Sequence, residues 1–255
     1  AQWSANTYTM KFDTTEGSLI ADKSYTIETP EFELPTTTRA GWTFAGWTVT
    51  SDVTGTNFTA SEKFVEKAKI AGRYGNVTLT ASWTANDNAA VVKTSHAKVG
   101  LASDVIASAE LNSTVKTAQN FVFYAKADEG YGTNGLSITV TGGSANVATS
   151  DSEGVYTVTV SAFTDEFEIT VSADVNSYVL TINPNGGTYN GSTNNATVSM
   201  NYEETATLAT PILTGYTFAG WDPIVGAMDE EGKEYFAVWT PNADTKYAVE
   251  FYSMK

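Results

Sequence analysis

The sequence contains no cysteine, and this absence removes several kinds of chemistry at once. Without a thiol there is no disulfide framework, no thiolate metal ligand and no cysteine nucleophile. Histidine is almost as scarce, because His96 is the only one in 255 residues. A histidine-rich metal site is therefore excluded. A Ser-His-Asp triad could form only around His96, and no Gly-x-Ser-x-Gly elbow is present to carry its serine.

Basic residues and long apolar runs are also scarce. Lys and Arg number 14 against 29 acidic residues, which gives a net charge of −15. Phosphate binding depends on clustered Lys and Arg, so this balance argues against nucleic acid as a partner. No apolar run reaches the ~18 residues that a membrane-spanning helix requires, so membrane insertion is not expected. A high negative charge mainly keeps a protein soluble and unassociated.

Carboxylates are abundant, but no acidic cluster has the spacing of a known site. The denser clusters are Asp229-Glu230-Glu231, Asp151-Ser152-Glu153 and Asp165-Glu166. None has the Asp-x-Asp-x-Asp-Gly spacing of a calcium loop, and we interpret them as solvated turns. Paired catalytic carboxylates stay open as an alternative, because the fold sets their separation. The sequence predicts no catalytic residue, no metal site and no cofactor, and the protein is not expected to be an enzyme.

The chain does contain a repeat. The run Gly41–Trp47 (GWTFAGW) returns as Gly215–Trp221 (GYTFAGW), with one difference in seven positions. Between them lies a shorter relative, Gly130–Thr133 (GYGT). We call these three runs the anchors. Repetition at a long period is typical of tandem modules, so three related units are predicted.

A second phrase marks the ends of the units. Trp83–Asn86 and Trp239–Asn242 are similar to each other and to Trp3–Asn6 near the start of the chain. Alternating segments follow, at Tyr8–Phe12 and Tyr247–Phe251. The predicted organisation is as follows: 1–7, the end of a preceding unit or a linker; 8–86, first module; 90–175, divergent middle module; 177–241, third module; 242–255, the start of a following unit or a terminal strand.

The composition and the local patterns favour β-structure. Hydrophobic residues make up 42% of the chain and charged residues only 17%, with Thr, Val, Tyr and Phe plentiful. Short helices are predicted over 61–71, where Ser61 can cap, and over 103–111. Period-2 alternation and apolar runs predict the strands: 8–12, 24–27, 77–83, 120–126, 136–141, 155–160, 168–173, 178–182, 198–202, 206–208 and 234–239.

The first and third units resemble the internalin B-type B-repeat, also called the Listeria–Bacteroides repeat. The third carries the first strand, the Asn185–Gly187 turn, the anchor and the closing Phe236–Trp239 run. The middle unit resembles a divergent form through its Asp128–Tyr131 and Gly154–Val160 phrases. It lacks both Trp residues, so an immunoglobulin-like sandwich stays open there.

The resemblance implies a mainly β, β-rich α+β fold. Small β-grasp-like modules would be strung in an elongated array on a bacterial surface or secreted protein. Members of the family are spacers, stalks or adhesive segments, with no known catalytic constellation. The family thus implies a stalk or spacer in adhesion, at the bacterial cell surface and outside the cell.

The repeated aromatic residues have two interpretations. Most are predicted to be core, because large aromatics supply much of the burial in a small module: Phe44, Trp47, Trp83, Phe218, Trp221 and Trp239. The aromatic after each anchor glycine is the candidate for exposure, and these residues are Trp42, Tyr131 and Tyr216. Exposed aromatics of this kind can stack on sugars or act as interface hot spots.

Two alternative functions follow from these features. The first is a module that binds a glycan or a host surface protein through exposed aromatics or a sheet edge. The second is a self-assembling fibre subunit, whose partners are neighbouring repeats or copies of itself. Its candidate strand-addition residues are Tyr8, Met10, Phe12, Tyr247, Val249 and Phe251.

Overall fold

A computed structural model describes residues 1–49, 63–65, 67–68, 75–147, 151 and 153–243. Within these residues every strand and helix assignment is β, which confirms the predicted mainly β fold of tandem modules. The strands form four sheets of four or five strands and one two-stranded sheet. None of the described segments is a helix long and apolar enough to cross a membrane.

The first module is built on one mixed sheet whose strand order is β2-β1-β7-β4-β5. Its strands are β1 (Tyr8–Asp13), β2 (Lys23–Tyr25), β3 (Phe32–Glu33), β4 (Trp42–Val49), β5 (Lys63–Val65), β6 (Lys67–Ala68) and β7 (Val77–Ala85). The first and last strands, β1 and β7, are neighbours and run parallel. β3 and β6 form a separate antiparallel pair.

Alternation along β1 and β7 builds the core of the first module. Met10 and Phe12 on β1 are buried, as are Val77 and Leu79 on β7, while the residues between them face outward. Trp47 of the anchor joins this cluster with only 1% of its surface exposed. The period of two that predicted these strands therefore also selected the buried face.

The middle segment has two four-stranded sheets. Its strands are β8 (Asp87–Ser95), β9 (Ala97–Gly100), β10 (Glu110–Lys116), β11 (Phe121–Ala127), β12 (Tyr131–Thr141), β13 (Ser144–Val147), β14 (Tyr156–Ser161) and β15 (Phe167–Val175). The sheet orders are β10-β8-β15-β12 and β13-β14-β11-β9. The rings of Phe121 and Phe167, one from each sheet, meet edge to face at 6.0 Å. This segment differs from the single main sheet of the first module.

The third module repeats the first in a shorter form. Its strands are β16 (Ser177–Asn183), β17 (Ala196–Asn201), β18 (Tyr216–Asp222) and β19 (Lys233–Pro241), in the order β17-β16-β19-β18. β16 and β19, the first and last strands, are again parallel neighbours. Leu180, Ile182 and Tyr235 are buried between the sheet and the loops that cover it.

The chain divides into two compact units. The first unit comprises Ala1–Lys93, Val99–Ala125 and Ile138–Thr170. The second comprises Thr94–Lys98, Lys126–Ser137 and Val171–Lys255. The first unit thus holds the first module with most of the middle strands, and the second holds the third module with the remainder.

Three local predictions are wrong. The five described residues of the predicted helix 61–71 lie in β5 and β6, and the others lie outside the described residues. Over 103–111 the chain forms bridges and a turn instead, with Val99 and Ser108 exchanging backbone hydrogen bonds of 2.8 and 3.1 Å. Residues 206–208 are not a strand, although Ala206 and Leu208 pack on the core.

The helix prediction over 103–111 fails for a physical reason. A nine-residue helix such as 103–111 is too short to be stable without an apolar face that packs against the protein. Val105, which would lie on that face, is exposed. Tertiary packing therefore overrode the local pattern.

Candidate functional site at the module junctions

Each anchor begins a strand with a glycine at positive φ. The φ angles are 78° at Gly41, 77° at Gly130 and 84° at Gly215. The aromatic that follows opens β4, β12 and β18 respectively. Only glycine adopts this conformation at little cost, which explains why the first position of all three anchors is the same.

The anchor glycine is also the partner of an asparagine at the end of its module. In each case the asparagine N–H donates to the glycine carbonyl. The pairs are Asn86 to Gly41 at 3.0 Å, Asn176 to Gly130 at 2.9 Å and Asn242 to Gly215 at 3.0 Å. We call this arrangement the Gly–Asn clasp. It closes each module by joining the residue after the last strand to the start of the anchor.

A side-chain bond completes each clasp. The Asn86 Oδ1 accepts a hydrogen bond of 2.6 Å from the Thr43 hydroxyl, and Asn242 Oδ1 accepts one of the same length from Thr217. In the middle module the backbone N–H of Thr133 donates to Asn176 Oδ1 at 2.7 Å. The asparagine side chain therefore fixes the orientation of its own peptide.

The same asparagine residue also bonds the next module. The Asn86 carbonyl accepts the Thr117 N–H at 3.0 Å, and the Asn176 carbonyl accepts the Tyr202 N–H at 2.9 Å. Thr117 follows β10, and Tyr202 follows β17, so each lies after the second long strand of the following segment. One asparagine residue thus bonds the preceding module through its backbone N–H and the following module through its backbone carbonyl.

Side chains pack tightly at both junctions. A Cβ added at Gly41 would lie 2.8 Å from Thr117 Cγ2, and one added at Gly130 would lie 2.2 Å from two ring carbons of Tyr202. The buried Asn88 donates from Nδ2 to Thr117 Oγ1 at 3.0 Å. Glycine is therefore favoured at positions 41 and 130 for space as well as for conformation.

The second junction is more aromatic and more acidic than the first. His96, an exposed residue, stacks on Tyr131 with ring centroids 4.1 Å apart, and Tyr131 meets Tyr202 edge to face at 6.0 Å. Glu230 accepts the Gly130 N–H at 2.7 Å. Partial desolvation and the nearby carboxylate of Glu129 raise the pKa of the Tyr202 phenol above its ordinary value of 10.0.

The three candidate contact aromatics belong to the anchors of different modules. Trp42 is half-buried and carries the guanidinium of Arg39 4.4 Å above its ring. Tyr131 is also half-buried and lies under His96. Tyr216 is exposed over 38% of its surface. Their use as contact residues stays a prediction.

The candidate strand-addition residues divide into two groups. Tyr8, Met10 and Phe12 lie on β1, which pairs with β2 over Tyr8–Met10 and with β7 over Met10–Asp13. Met10 and Phe12 are also buried, so donation of β1 to another sheet would require the first module to open. Tyr247, Val249 and Phe251 lie outside the described residues.

The predicted core aromatics form the same trio in both repeats. Phe44 meets Trp47 and Trp83 edge to face at 5.2 and 5.5 Å. Phe218 meets Trp221 and Trp239 in the same way at 5.2 and 5.7 Å. Trp47 is fully buried, whereas the other five are half-buried. The motif therefore preserves a packed aromatic unit beside each clasp.

The acidic clusters lie in exposed turns. Asp151 Oδ1 accepts the N–H groups of Glu153 and Val155, and Asp229 pairs with Lys233 at 3.2 Å. Among the described residues no group of three His, Asp or Glu side chains is arranged to hold a metal ion. The arrangement that recurs among the described residues is the Gly–Asn clasp.

Sequence reasoning identified the anchors and the closing phrases but missed what they do together. The sequence patterns did not identify Thr43, Thr117 or Tyr202 as contact residues. A usable indication was present, since every closing phrase places an asparagine three residues after its first position, and every anchor has a threonine two or three residues after its glycine.

Comparison with known proteins agrees with the geometry. The sequence model of the Listeria-Bacteroides repeat domain matches residues 8–81 and 178–223. These ranges correspond to the two modules that share a sheet order. Repeats of this family are found in bacterial surface proteins. No curated protein matches the chain. The chain is therefore similar to the Listeria–Bacteroides repeat at two regions, one in its first module and one in its third.

Proposed function

We propose that this chain is a non-catalytic, extracellular spacer of a bacterial surface protein. Its partners are then neighbouring repeats, and its task is to hold an adhesive or catalytic domain at a distance from the cell. The proposal agrees with the repeat family and with the mainly β fold.

The observation that carries the proposal is the recurrence of the clasp. Two successive junctions use the same peptide-level connection, with an asparagine bonded to the module before it and to the module after it. A flexible linker would need no such bonds, because its ends move independently. Bonded junctions restrict the motion between adjacent modules, and a spacer whose joints are restricted keeps its reach.

Small-angle scattering across a concentration series tests the spacer. An elongated particle whose dimensions do not change with concentration is expected, with a maximum dimension that exceeds that of a globule of equal mass. A compact globule would refute the proposal. Growth into rods with concentration would instead support the fibre-subunit hypothesis, and deletion of 244–255 would then test whether that segment drives assembly.

The binding hypothesis has its best remaining support at Tyr216. The rings of Trp42 and Tyr131 already carry Arg39 and His96, whereas Tyr216 is more exposed. A glycan array with the wild-type chain and a Tyr216→Ala variant tests this alternative. Hits that vanish in the variant would support binding, and identical hits from both proteins would show that Tyr216 plays no part.

A further inference from the structure

In both repeats the strand that brings the chain into the module lies beside the strand that takes it out. β1 pairs with β7 in parallel from Met10↔Val77 to Asp13↔Thr80. β16 pairs with β19 in parallel from Leu180↔Lys233 to Asn183↔Phe236. Each module thus has four aligned residue pairs between its first and last strands.

This arrangement determines how a pull along the chain loads the module. In a parallel pair, the start of the first strand and the end of the last strand lie at opposite ends. Tension applied there slides one strand past the other, so the bonds between them must yield together. Tension at the same end of both strands would instead peel the bonds apart one after another.

We propose that these parallel pairs are force-bearing clamps, which keep the first and third modules folded while the chain is stretched. The inference rests on the spacer function proposed above and adds mechanical load to it. Forced unfolding is governed by the height of the unfolding barrier, so a geometry that breaks many contacts at once resists force better than stability alone implies.

Core packing opposes the sliding motion. Met10 and Leu79, from the two strands of the first clamp, are each buried to within 1% of full burial. In the third module Leu180 and Tyr235 occupy the matching strands and are equally buried. A one-residue slip in register would turn each of these side chains toward the solvent face, so the clamp cannot slide without unpacking the core.

An indole bond joins the far end of each clamp. Trp83 Nε1 donates to Thr15 Oγ1 at 2.8 Å, and Trp239 Nε1 donates to the Asn185 carbonyl at 3.0 Å. Thr15 and Asn185 lie in the turn after the first strand, whereas each Trp lies near the end of the last strand. Asn185 Nδ2 adds a bond of 2.9 Å to the Ala237 carbonyl. These contacts extend the clamp beyond the four strand pairs.

Single-molecule force spectroscopy on the full chain tests the clamp. The absence of native cysteine allows two handles to be placed at chosen positions. Ser177→Cys with Ala243→Cys pulls on opposite ends of the β16–β19 pair, and Ser177→Cys with Glu231→Cys pulls on the same end. All three positions are exposed. The unfolding force in the first geometry is expected to be several-fold higher than in the second.

Two outcomes would overturn the clamp. One is an equal unfolding force in both geometries; the other is a higher force when both strands are pulled from the same end. Hydrogen exchange of the β16 and β19 amides in the two handle variants provides the control, since matched protection excludes a difference in the stability of the third module. Equal forces from a chain that is elongated in scattering would reject the clamp and leave the spacer, whereas a compact particle would reject the spacer whatever the forces.

A variant of the indole bond gives a second readout. Trp239→Phe keeps an aromatic ring beside Phe218 but removes the N–H that bonds the turn. It is expected to lower the force in the opposite-end geometry while leaving the same-end force unchanged. Trp221→Phe alters the other indole that contacts Phe218 and serves as the control for a smaller ring. An opposite-end force unaltered by Trp239→Phe would show that the indole bond bears no load.

Discussion

Substitution of Gly130 by alanine should open the second junction without unfolding the modules on either side. Gly130 has a φ of 77°, and a Cβ there would lie 2.2 Å from two carbons of the Tyr202 ring. Gly154→Ala is the matched control, because Gly154 has a φ of 76° and an added Cβ would meet nothing within 4 Å. The two variants share the backbone strain and differ in the clash.

The expected magnitudes follow from the contacts that Tyr202 would lose. Placing a side chain at positive φ costs about 1–2 kcal/mol in both variants. In Gly130→Ala the Tyr202 ring must move, which forfeits about 0.5–1.5 kcal/mol of edge-to-face contact with Tyr131. The Tyr202 N–H bond to the Asn176 carbonyl, worth about 0.5–1.5 kcal/mol, is lost with it. Gly130→Ala should therefore cost roughly 1–3 kcal/mol more than its control.

Hydrogen exchange measured by mass spectrometry on the full chain is the assay. It reports local opening, which a single melting curve of a multidomain chain does not resolve. Protection of the Tyr202 amide should fall in Gly130→Ala and stay near wild type in Gly154→Ala, while the amides of β18 and β19 stay protected in both. Equal protection of Tyr202 in the two variants would refute the argument that this junction depends on close packing.

The remaining predictions concern single modules. Gly187→Ala should destabilise the third module by about 1–3 kcal/mol through overpacking, because its Cβ would lie 2.5 Å from Trp239. Gly226→Ala is the control, because a Cβ there would have no neighbour closer than 3.9 Å. Equal rates of hydrogen exchange in the two variants would contradict the steric reasoning. Glu16→Gly should stabilise the first module by up to about 1 kcal/mol in the same assay, because Glu16 has a strained φ of 68° that glycine adopts without strain. Loss of the ion pair between Arg39 and the exposed Glu16 should offset little of this gain. A loss of stability would show that the pair matters more than the strain. The raised pKa of Tyr202 means that the unfolded phenol loses its proton first as pH rises. Stability should therefore fall from about pH 10 upward, and a Tyr202→Phe variant should fall less; identical pH profiles would exclude this phenol as the cause.

The local sequence pattern was sufficient to predict the structure wherever apolar residues alternate, or a motif recurs, in a recognisable way. Alternation at Tyr8, Met10 and Phe12 predicted both the strand and its buried face, since side chains of a strand point to alternate sides. Recurrence of Gly41–Trp47 at Gly215–Trp221 predicted related modules, and the sheets that contain these two runs share the order of four strands. Where a short segment had to choose between helix and strand, as at 61–71, local pattern failed because partners elsewhere in the chain made the choice.

At the junctions too, the sequence predicted one part of the structure and left the other part open. From the sequence alone, a glycine at the start of each anchor and an asparagine at the end of each module were visible as repeated letters. That Asn86 bonds Gly41 and Thr117 at once depends on two strands being brought together from distant parts of the chain. Every non-proline residue offers the same backbone N–H and carbonyl groups, so a pattern of residue types does not specify which backbone groups bond to each other.

The sequence by itself determined that the protein is a mainly β array of repeated modules without thiol chemistry, because composition and periodicity are local properties. Only the tertiary structure decided that β1 lies beside β7 and β16 beside β19 in parallel. Strand alternation determines which side chains face the core. The alternation does not depend on which strand is the neighbour, or on whether the two strands run parallel or antiparallel. The packing of the whole module selects among these pairings, and the proposed resistance to force depends on that selection.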